Sequence, residues 1–168
     1  MITSALVSIP VGVVVERHKA TSPWLDFVWR PASILPGVPS AEPWTPLGQV
    51  ADTTAFYAGS ATVQLHRTET ANYLSNLRSG CPALWVVLRP TDSRPPYDVV
   101  AVTADPAEGE AYTETGTDVV EALAMPADIA RVVEAFVAEH HVERPFIKRE
   151  RDHGERGARR RPSGPEND

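Results

Sequence analysis

The stretch ALWVVLRPTDSRPPYDVVAVTADPAE, residues 83–108, decides the fold class of this chain. Its two apolar, β-branched runs are typical of strands, and the loop PTDSRPP between them is rich in turn-forming residues. Such a pair predicts an antiparallel hairpin with a wide loop. Asp105 then stands as a helix cap before Pro106, with Glu108 three residues after the cap, so we expect a helix over 107–114.

The residues before this hairpin predict three more strands: IPVGVVVERH at 9–18, WLDFVWRPASIL at 24–35 and AFYAGSATVQL at 55–65. Pro31 and Pro36 restrict the second of these strands to an edge position, a bulge or two short pieces. The hydrophobic period changes over 68–78, where Thr68 offers a cap and Gly80 a stop. This pattern predicts a short helix between the third strand and the hairpin.

The residues after the hairpin predict a sixth strand over 118–124 and a helix, ADIARVVEAFVAEHH, over 127–141. One face of that helix carries Ile129, Val132, Val133, Phe136, Val137 and His140. The order of elements lacks strict βαβ alternation, which argues against a doubly wound sheet. We therefore predict an α+β fold: a single domain with a mixed, mostly antiparallel sheet of about six strands and three helices on one face.

Charge is unevenly distributed along the chain. Residues 148–168 hold seven Lys or Arg and five Asp or Glu, whereas the preceding residues hold nine basic and seventeen acidic side chains. Between Asp152 and Asp168 no large apolar residue occurs, so this segment cannot bury enough surface to offset the entropy of ordering it. We expect a folded α+β domain over 1–149 and a disordered, basic C-terminal tail over 150–168.

The composition also bounds where the protein acts. The apolar run Ile9–Val15 is far shorter than the roughly 20 residues that span a bilayer, and the N-terminus does not resemble a signal peptide. We therefore expect a cytoplasmic protein without a membrane span. Cys81 is the single cysteine, which excludes an intrachain disulfide and a cysteine-based metal cage.

The sequence contains no recognisable catalytic motif. Neither GxGxxG nor GxxxxGK[ST] occurs, so nucleotide binding of a familiar kind is unsupported and no cofactor is predicted. The adjacent His140 and His141 diverge by about 100° on a helix, which makes a shared metal ion unfavourable, and we predict no metal site. Cys81 precedes an apolar strand and is more typical of a small buried side chain than of a nucleophile. Whether the protein is an enzyme stays open, and the residues favour a protein that is not one.

Polar clusters supply the candidates for ligand binding. His66 and Arg67 lie where a strand meets a helix N-terminus, a place that can hold an anion; alternatively, Arg67 pairs with Glu69 or Glu16. Arg30 follows Trp29 in what is either a cation–π pair or part of a ligand-facing surface. The tryptophans are more typical of core than of surface, with Trp44 in its proline-rich loop as the exposed one.

The segment HHVERPFIKRER, residues 140–151, supplies candidates for partner binding. His141 suits the negative end of the preceding helix as a cap. Lys148, Arg149 and Arg151 then form a basic cluster that could meet a partner protein. The acidic body opposes nucleic-acid binding by these residues, so no specific nucleic-acid role is predicted.

Four ordered segments carry a family resemblance: IPVGVVVERHKATSPWLDFVWRPASILPG, FYAGSATVQLHRTETANYLSNL, VTADPAEGEAYTETGTDVVEALAMP and HHVERPFIKRERD. Over roughly residues 8 to 152 the sequence resembles a proteobacterial family of domains of unknown function. The resemblance implies that the genes of family members lie beside the genes for formate dehydrogenase and for the maturation of other molybdenum enzymes. Some members carry the label molybdopterin-guanine dinucleotide biosynthesis protein A. The family offers no established catalytic residues.

Two hypotheses follow. The preferred one is a cytoplasmic accessory or interaction protein for a molybdenum-dependent enzyme such as formate dehydrogenase, whose basic C-terminal segment engages the enzyme or its maturation factor. The alternative is a molybdopterin-guanine dinucleotide nucleotidyltransferase with a site around Arg30, His66 and Arg67. Guanylyltransferases with that label open on a pattern like LAGGxSxRMGxDK, whereas residues 11–24 here read VGVVVERHKATSPW without a glycine pair.

Overall fold

The computed structural model describes residues 6–142, which form seven strands and three helices. The elements are, in order, β1 Val7–Lys19, β2 Phe27–Pro36, β3 Thr45–Val50, β4 Thr53–Leu65, the 3-10 turn Arg67–Glu69, α1 Thr70–Leu77, β5 Ala83–Pro90, β6 Tyr97–Thr103, α2 Pro106–Thr113, β7 Val119–Ala124 and α3 Ala127–His140. The strands form two sheets, sheet A in the order β2-β1-β4-β3 and sheet B in the order β6-β5-β7. Every pair of neighbouring strands in both sheets is antiparallel.

The α+β class and the three helices are confirmed, while the expected single sheet of about six strands is two sheets with seven strands. Helix α1 separates β4 from β5, so the hairpin β5–β6 starts a sheet of its own with β7. The additional strand is β3, which was not predicted because the sequence around Pro46 is typical of a proline-rich loop. Proline is tolerated there because β3 is the edge strand of sheet A.

The core lies between the two sheets. β4 lies beside β6 and β2 beside β7, so strands of the two sheets are neighbours on two sides of this core. Alternate residues of β1 and β5 supply the buried centre: Val11, Val13, Val15, Leu84, Val86 and Leu88. The helices α1 and α3 add Tyr73 and Phe136, whose rings pack edge to face with centroids 6.1 Å apart. The apolar face of α3 is thus buried as predicted, except that Val132 is 39% exposed.

Helix α2 packs against the other face of sheet B, where Gly109 lies against Trp85. Its predicted cap is confirmed, because the Asp105 carboxylate accepts a hydrogen bond from the Ala107 N–H at 2.9 Å. Glu108 does not complete a capping box; it accepts from the Thr103 hydroxyl, and that hydroxyl oxygen in turn accepts the Asp105 N–H. Helix α2 is therefore tied to the end of β6 through a side-chain relay.

Helix α1 begins differently from its prediction. Thr68 does not cap it; the helix follows a 3-10 turn, and Glu69 at the N-cap position makes no side-chain capping bond. The helix is anchored near its other end by the buried amide of Asn76. That amide donates to the carbonyls of Ala83 (2.8 Å) and Ala104 (3.0 Å) and accepts the Ala83 N–H (2.9 Å). A single asparagine thereby connects α1 to the start of β5 and the end of β6.

Three expectations about burial are wrong. Trp24 is 89% exposed in the β1–β2 loop, whereas Trp44, expected at the surface, packs its ring 5.7 Å from that of Trp29. Cys81 is exposed because it sits in the turn between Gly80 and the start of β5. The predicted domain boundary, the tail over 150–168 and the basic cluster Lys148, Arg149 and Arg151 lie outside the described residues. Within residues 6–142, no helix combines the length and apolar character needed to cross a membrane.

Candidate functional site

Arg17 lies at the centre of a group of aromatic side chains on sheet A. Its guanidinium carbon is 4.3 Å from the ring centroid of Phe27, 5.2 Å from that of Phe56 and 5.7 Å from that of Trp29. The register explains the arrangement: Arg17 is opposite Trp29 on β2, and Phe56 of β4 is opposite Val15. Arg17 therefore continues the inward-facing stripe of β1 beyond the core, and we call this group the Arg17 cluster.

Arg17 has no polar partner among residues 6–142. No hydrogen bond or ion pair joins its side chain to another described residue, and its Nε is buried without an acceptor. The aromatic rings stabilise the cation through their faces, which leaves the N–H donors of the guanidinium free. Because the Nε has almost no exposed surface, only the terminal N–H groups of the guanidinium could meet an acceptor from outside the described residues.

Two clefts border the Arg17 cluster. The larger, with a volume of about 650 Å³, lies between the β1–β2 hairpin and the β5–β6 loop, and is lined by Arg17, Asp26, Phe27, Trp29 and residues 91–96. The second, about 410 Å³, lies towards β3 and β4, and adds Lys19, Gln49, Asp52 and Thr54. The larger volume is within the range of small-molecule and side-chain binding pockets.

The β5–β6 loop closes on itself opposite the aromatic wall. The Thr91 N–H donates to the Pro96 carbonyl at 2.8 Å, and the hydroxyls of Thr91 and Ser93 are 2.6 Å apart. At the base of the loop, the ring of Tyr97 lies 6.4 Å from that of Trp29. The contact of Tyr97 with Trp29 places the base of the loop against sheet A, and residues of both sheets line the larger cleft.

The charges of the larger cleft balance. Two guanidinium groups, Arg17 and Arg94, line it together with two carboxylates, Asp26 and Asp92, and no ion pair joins any of these four to one another. A dianion such as phosphate would meet both carboxylates, whereas a single carboxylate accompanied by N–H donors meets complementary groups. The arrangement suits a ligand of mixed charge.

An exposed apolar surface adjoins the clefts. Trp24 is 89% exposed, Leu25 59% and Val50 80%. The Lys19 N–H donates to the Asp52 carbonyl at 3.1 Å, which holds the β1–β2 hairpin beside the β3–β4 turn. All three apolar side chains therefore lie at one end of sheet A, which we call the open end, and exposed groups of this kind mark binding surfaces in other proteins.

Comparison with known proteins gives the family. A family model described as "Protein of unknown function (DUF3305)" matches residues 10–150. The chain belongs to the DUF3305 family. The expected membership of a family of unknown function is thereby confirmed, and the Arg17 cluster lies within the matched residues of this DUF3305 protein. Neither a curated protein nor a solved structure matches the sequence.

The DUF3305 protein places Arg30 on β2, opposite Glu16 and exposed to solvent. The cation–π contact considered for Arg30 is made instead by Arg17, which stacks near Trp29. Arg67 is also exposed and forms no ion pair with any described residue, including the two acids considered as its partners. Of those two acids, Glu16 bonds to His18.

His66 and His141 lie near the start of helix α1. The His66 N–H donates to the Tyr73 hydroxyl at 2.9 Å, and His66 lines a polar cleft of about 310 Å³ together with Glu108. His141 ends α3 as predicted, and its Nδ1 lies 3.1 Å from the Thr70 hydroxyl oxygen. This bond joins the end of α3 to the start of α1.

The structure does not bring Arg30 together with His66 and Arg67. Arg30 is opposite Glu16 of β1, while Leu65, which precedes His66, is opposite Val7. Those two positions of β1 are nine residues apart, which corresponds to roughly 30 Å along a strand. A single site around Arg30, His66 and Arg67 is therefore not formed.

A second hydrogen-bonded group occurs on sheet A. The His18 Nε2 is 3.1 Å from a Glu16 carboxylate oxygen, and its Nδ1 is 2.9 Å from the Thr53 hydroxyl oxygen. The order of carboxylate, imidazole and hydroxyl resembles a catalytic triad. However, Glu16 and His18 are on β1, Thr53 is opposite His18 on β4, and none of the three residues lines any of the three clefts. Within residues 6–142, no group of three or more His, Cys, Asp or Glu side chains could hold a metal ion.

Sequence reasoning missed the Arg17 cluster. The available signal was the alternation Val11, Val13, Val15, which places Arg17 on the same face of the strand. The alternation of Phe27 and Trp29 on the next strand gives a matching aromatic stripe. What the sequence did not show is that these stripes are adjacent.

Proposed function

We propose that this DUF3305 protein is a cytoplasmic accessory protein that binds a partner protein at the open end of sheet A. The partner in this proposal is a molybdenum-dependent enzyme such as formate dehydrogenase, or one of its maturation factors. The observation that carries the binding role is the exposed apolar surface of Trp24, Leu25 and Val50 beside the unpaired Arg17. The molybdenum link is supported by the gene neighbourhood that the family resemblance implies.

The chemistry of this end resembles that of protein interfaces. Binding energy at interfaces concentrates in a few tryptophan, tyrosine and arginine side chains surrounded by apolar contacts. Trp24 at the tip of the hairpin, with Arg17 in the adjoining cleft, provides such anchors. Removing one dominant anchor costs about 2 kcal/mol or more, or roughly 30-fold in affinity.

The nucleotidyltransferase alternative is not favoured by the fold. Enzymes with that label are expected to have a doubly wound parallel sheet, whereas both sheets here are built from antiparallel pairs. Arg30 lies opposite Glu16 near one end of β1, whereas His66 follows the residue opposite Val7 at the other end. We therefore retain the accessory role and make the basic C-terminal segment a second contact to be tested separately.

The test is affinity capture from native cells with the full-length protein, followed by mass spectrometry. The double variant Trp24→Ser and Leu25→Ser should recover far less of the molybdenum-enzyme component than the wild type. Val132→Ser on α3, which also replaces a partly exposed apolar residue, should recover as much as the wild type. A deletion strain should lose formate dehydrogenase activity and regain it with the wild-type gene.

Two results would contradict the proposal. One is unchanged formate dehydrogenase activity in the deletion strain together with no molybdenum-enzyme component in the capture. The other is equal recovery by the wild type and the hairpin variant. A variant ending at Val142 tests the contribution of Lys148, Arg149 and Arg151, since loss of recovery in that variant alone assigns docking to the tail.

A further inference from the structure

The Arg17 guanidinium faces a cleft whose other groups specify what can bind there. We propose that the larger cleft binds one carboxylate of a peptide segment, with an apolar or aromatic side chain of that segment against Phe27 and Trp29. The carboxylate is that of an Asp or Glu side chain or of a polypeptide C-terminus. This inference rests on the proposed function, because it takes the ligand to be part of a partner protein.

A carboxylate is the acceptor that matches an unpaired guanidinium. The planar fork of N–H groups on arginine forms two parallel hydrogen bonds with the two oxygens of a carboxylate. The three aromatic rings around Arg17 hold the cation in place before a ligand arrives. A group that is already ordered loses less entropy on binding, so the cluster is organised in advance for this contact.

The remaining charges favour a peptide over a phosphorylated ligand. Asp26 and Asp92 line the same cleft as Arg17 and Arg94, so a phosphate dianion would be attracted by two groups and repelled by two. Peptide N–H groups near the bound carboxylate can donate to Asp26 or Asp92, which a phosphate dianion cannot do. The cleft therefore offers a guanidinium for the carboxylate and acceptors for the neighbouring peptide N–H groups.

The walls of the cleft specify the neighbour of the carboxylate. Phe27 and Trp29 form one side, and Pro95 and Pro96 belong to the loop on the other. An apolar side chain between these walls is removed from water, which contributes about 25 cal/mol per Å² of buried area. The recognised segment thus combines an acidic group with an adjacent apolar or aromatic residue.

The test uses the full-length protein and four blocked probes in an NMR titration. N-acetyl-tryptophan carries a terminal carboxylate, and its amide is the neutral counterpart. N-acetyl-Trp-Glu-amide carries a side-chain carboxylate, and the Trp-Gln peptide is its neutral counterpart. At least one carboxylate probe should bind about 10-fold or more tightly than its neutral partner, because a hydrogen bond to a charged group contributes about 1.5 to 3 kcal/mol. The pair that shows the preference identifies the source of the carboxylate, and inorganic phosphate should not displace the probe.

Arg17→Met should abolish the preference for the carboxylate, and Arg17→Lys should reduce it because lysine lacks the planar fork. Circular dichroism and thermal melting show whether both variants fold like the wild type. If Arg17→Met does not fold, Arg17→Lys, which retains the positive charge, carries the test. Arg30→Met is the matched control, since Arg30 is an exposed arginine on the neighbouring strand, and it should leave the preference unchanged.

The inference is overturned if neither pair shows a preference, if no probe saturates up to about 10 mM, or if the preference survives in folded Arg17→Met protein. These outcomes are separable from failure of the proposed function. A carboxylate preference without capture of a molybdenum-enzyme component retains the site and rejects the partner. Capture that is unaffected by Arg17→Met, with no carboxylate preference, rejects the site and retains the partner.

Discussion

Replacing Gly109 by alanine tests whether helix α2 depends on close contact with sheet B. Gly109 is inside α2, and its N–H bonds to the Asp105 carbonyl at 3.0 Å. A Cβ added at this position would lie 2.7 Å from Cδ1 and 2.8 Å from Cβ of Trp85, whereas ordinary contacts are 3.4–4 Å. These atoms are at the strand end of the Trp85 side chain, so a rotation of the far part of the ring cannot relieve the overlap.

Two effects of opposite sign determine how much Gly109→Ala changes the free energy of unfolding. Alanine is favoured over glycine in a helix by about 1 kcal/mol. Inserting a methyl group into a filled contact costs about 1–3 kcal/mol, and more where backbone must move. Because the overlap at Gly109 requires α2 or β5 to shift, we expect a net loss of about 2 kcal/mol. For a protein of this size, that corresponds to a fall in Tm of about 4–8 °C.

Thermal and urea melts followed by circular dichroism measure this effect. Gly48→Ala is the control, since nothing lies within 4 Å of the added Cβ at that position, and its stability should stay within about 0.5 kcal/mol of the wild type. Trp85→Ala should lessen the cost of Gly109→Ala in the double variant, because it removes the Cγ and Cδ1 atoms of Trp85 that the added Cβ would overlap. A Gly109→Ala protein as stable as the wild type would refute the packing of α2 described above.

Three further predictions concern stability. Asn76→Ala should lower the free energy of unfolding by about 3 kcal/mol, since it removes three hydrogen bonds from backbone groups that are buried or part-buried, while exposed Ser75→Ala should change little in the same urea melts. Burial raises the pKa of Tyr73 to about 12, so the unfolded protein releases this proton from pH 10.0 and the folded one only near 12. Stability should therefore fall over that interval, and Tyr73→Phe should remove this component; identical alkaline slopes would count against it. Two hydrogen bonds of 3.0 Å from Arg89 lower the pKa of Asp118, so the pair stabilises the fold above the ordinary carboxyl value and loses this effect as the pH falls through the lowered pKa. Arg89→Gln should melt below the wild type at neutral pH and converge with it in acid; a constant difference would contradict the pairing.

Local signals predicted most of the elements. The Asp105 cap, the apolar face of α3 and the His141 cap depend on residues within a few positions of one another, and the structure confirms all three. β3 was missed because Pro46 breaks its pattern, and only the edge position of that strand makes the proline acceptable. Trp24 and Trp44 were assigned to the wrong environments because their residue type does not reveal which of two loops folds back onto a sheet.

The candidate site depends on contacts between distant positions. Arg17 meets Phe27 and Phe56 only because β1 pairs with both β2 and β4 in a particular register. The cleft is completed by residues 91–96 of sheet B, which no periodicity in the first half of the sequence anticipates. Arg30, which is adjacent to Trp29 in the sequence, was the natural candidate, but neighbouring residues of a strand point to opposite faces of the sheet.

The sequence by itself determined the α+β class, the antiparallel hairpin, the three helices and the family, because these follow from periodicity, caps and motifs read within short windows. Only the tertiary structure decided that the strands divide into two sheets, that the Arg17 guanidinium stacks among three aromatic rings, and that Arg17 lines an open cleft. The physical reason is that strand pairing and sheet packing depend on which apolar side chains are buried across the whole chain. A polar group without a partner can be recognised only when the positions of all other groups are known.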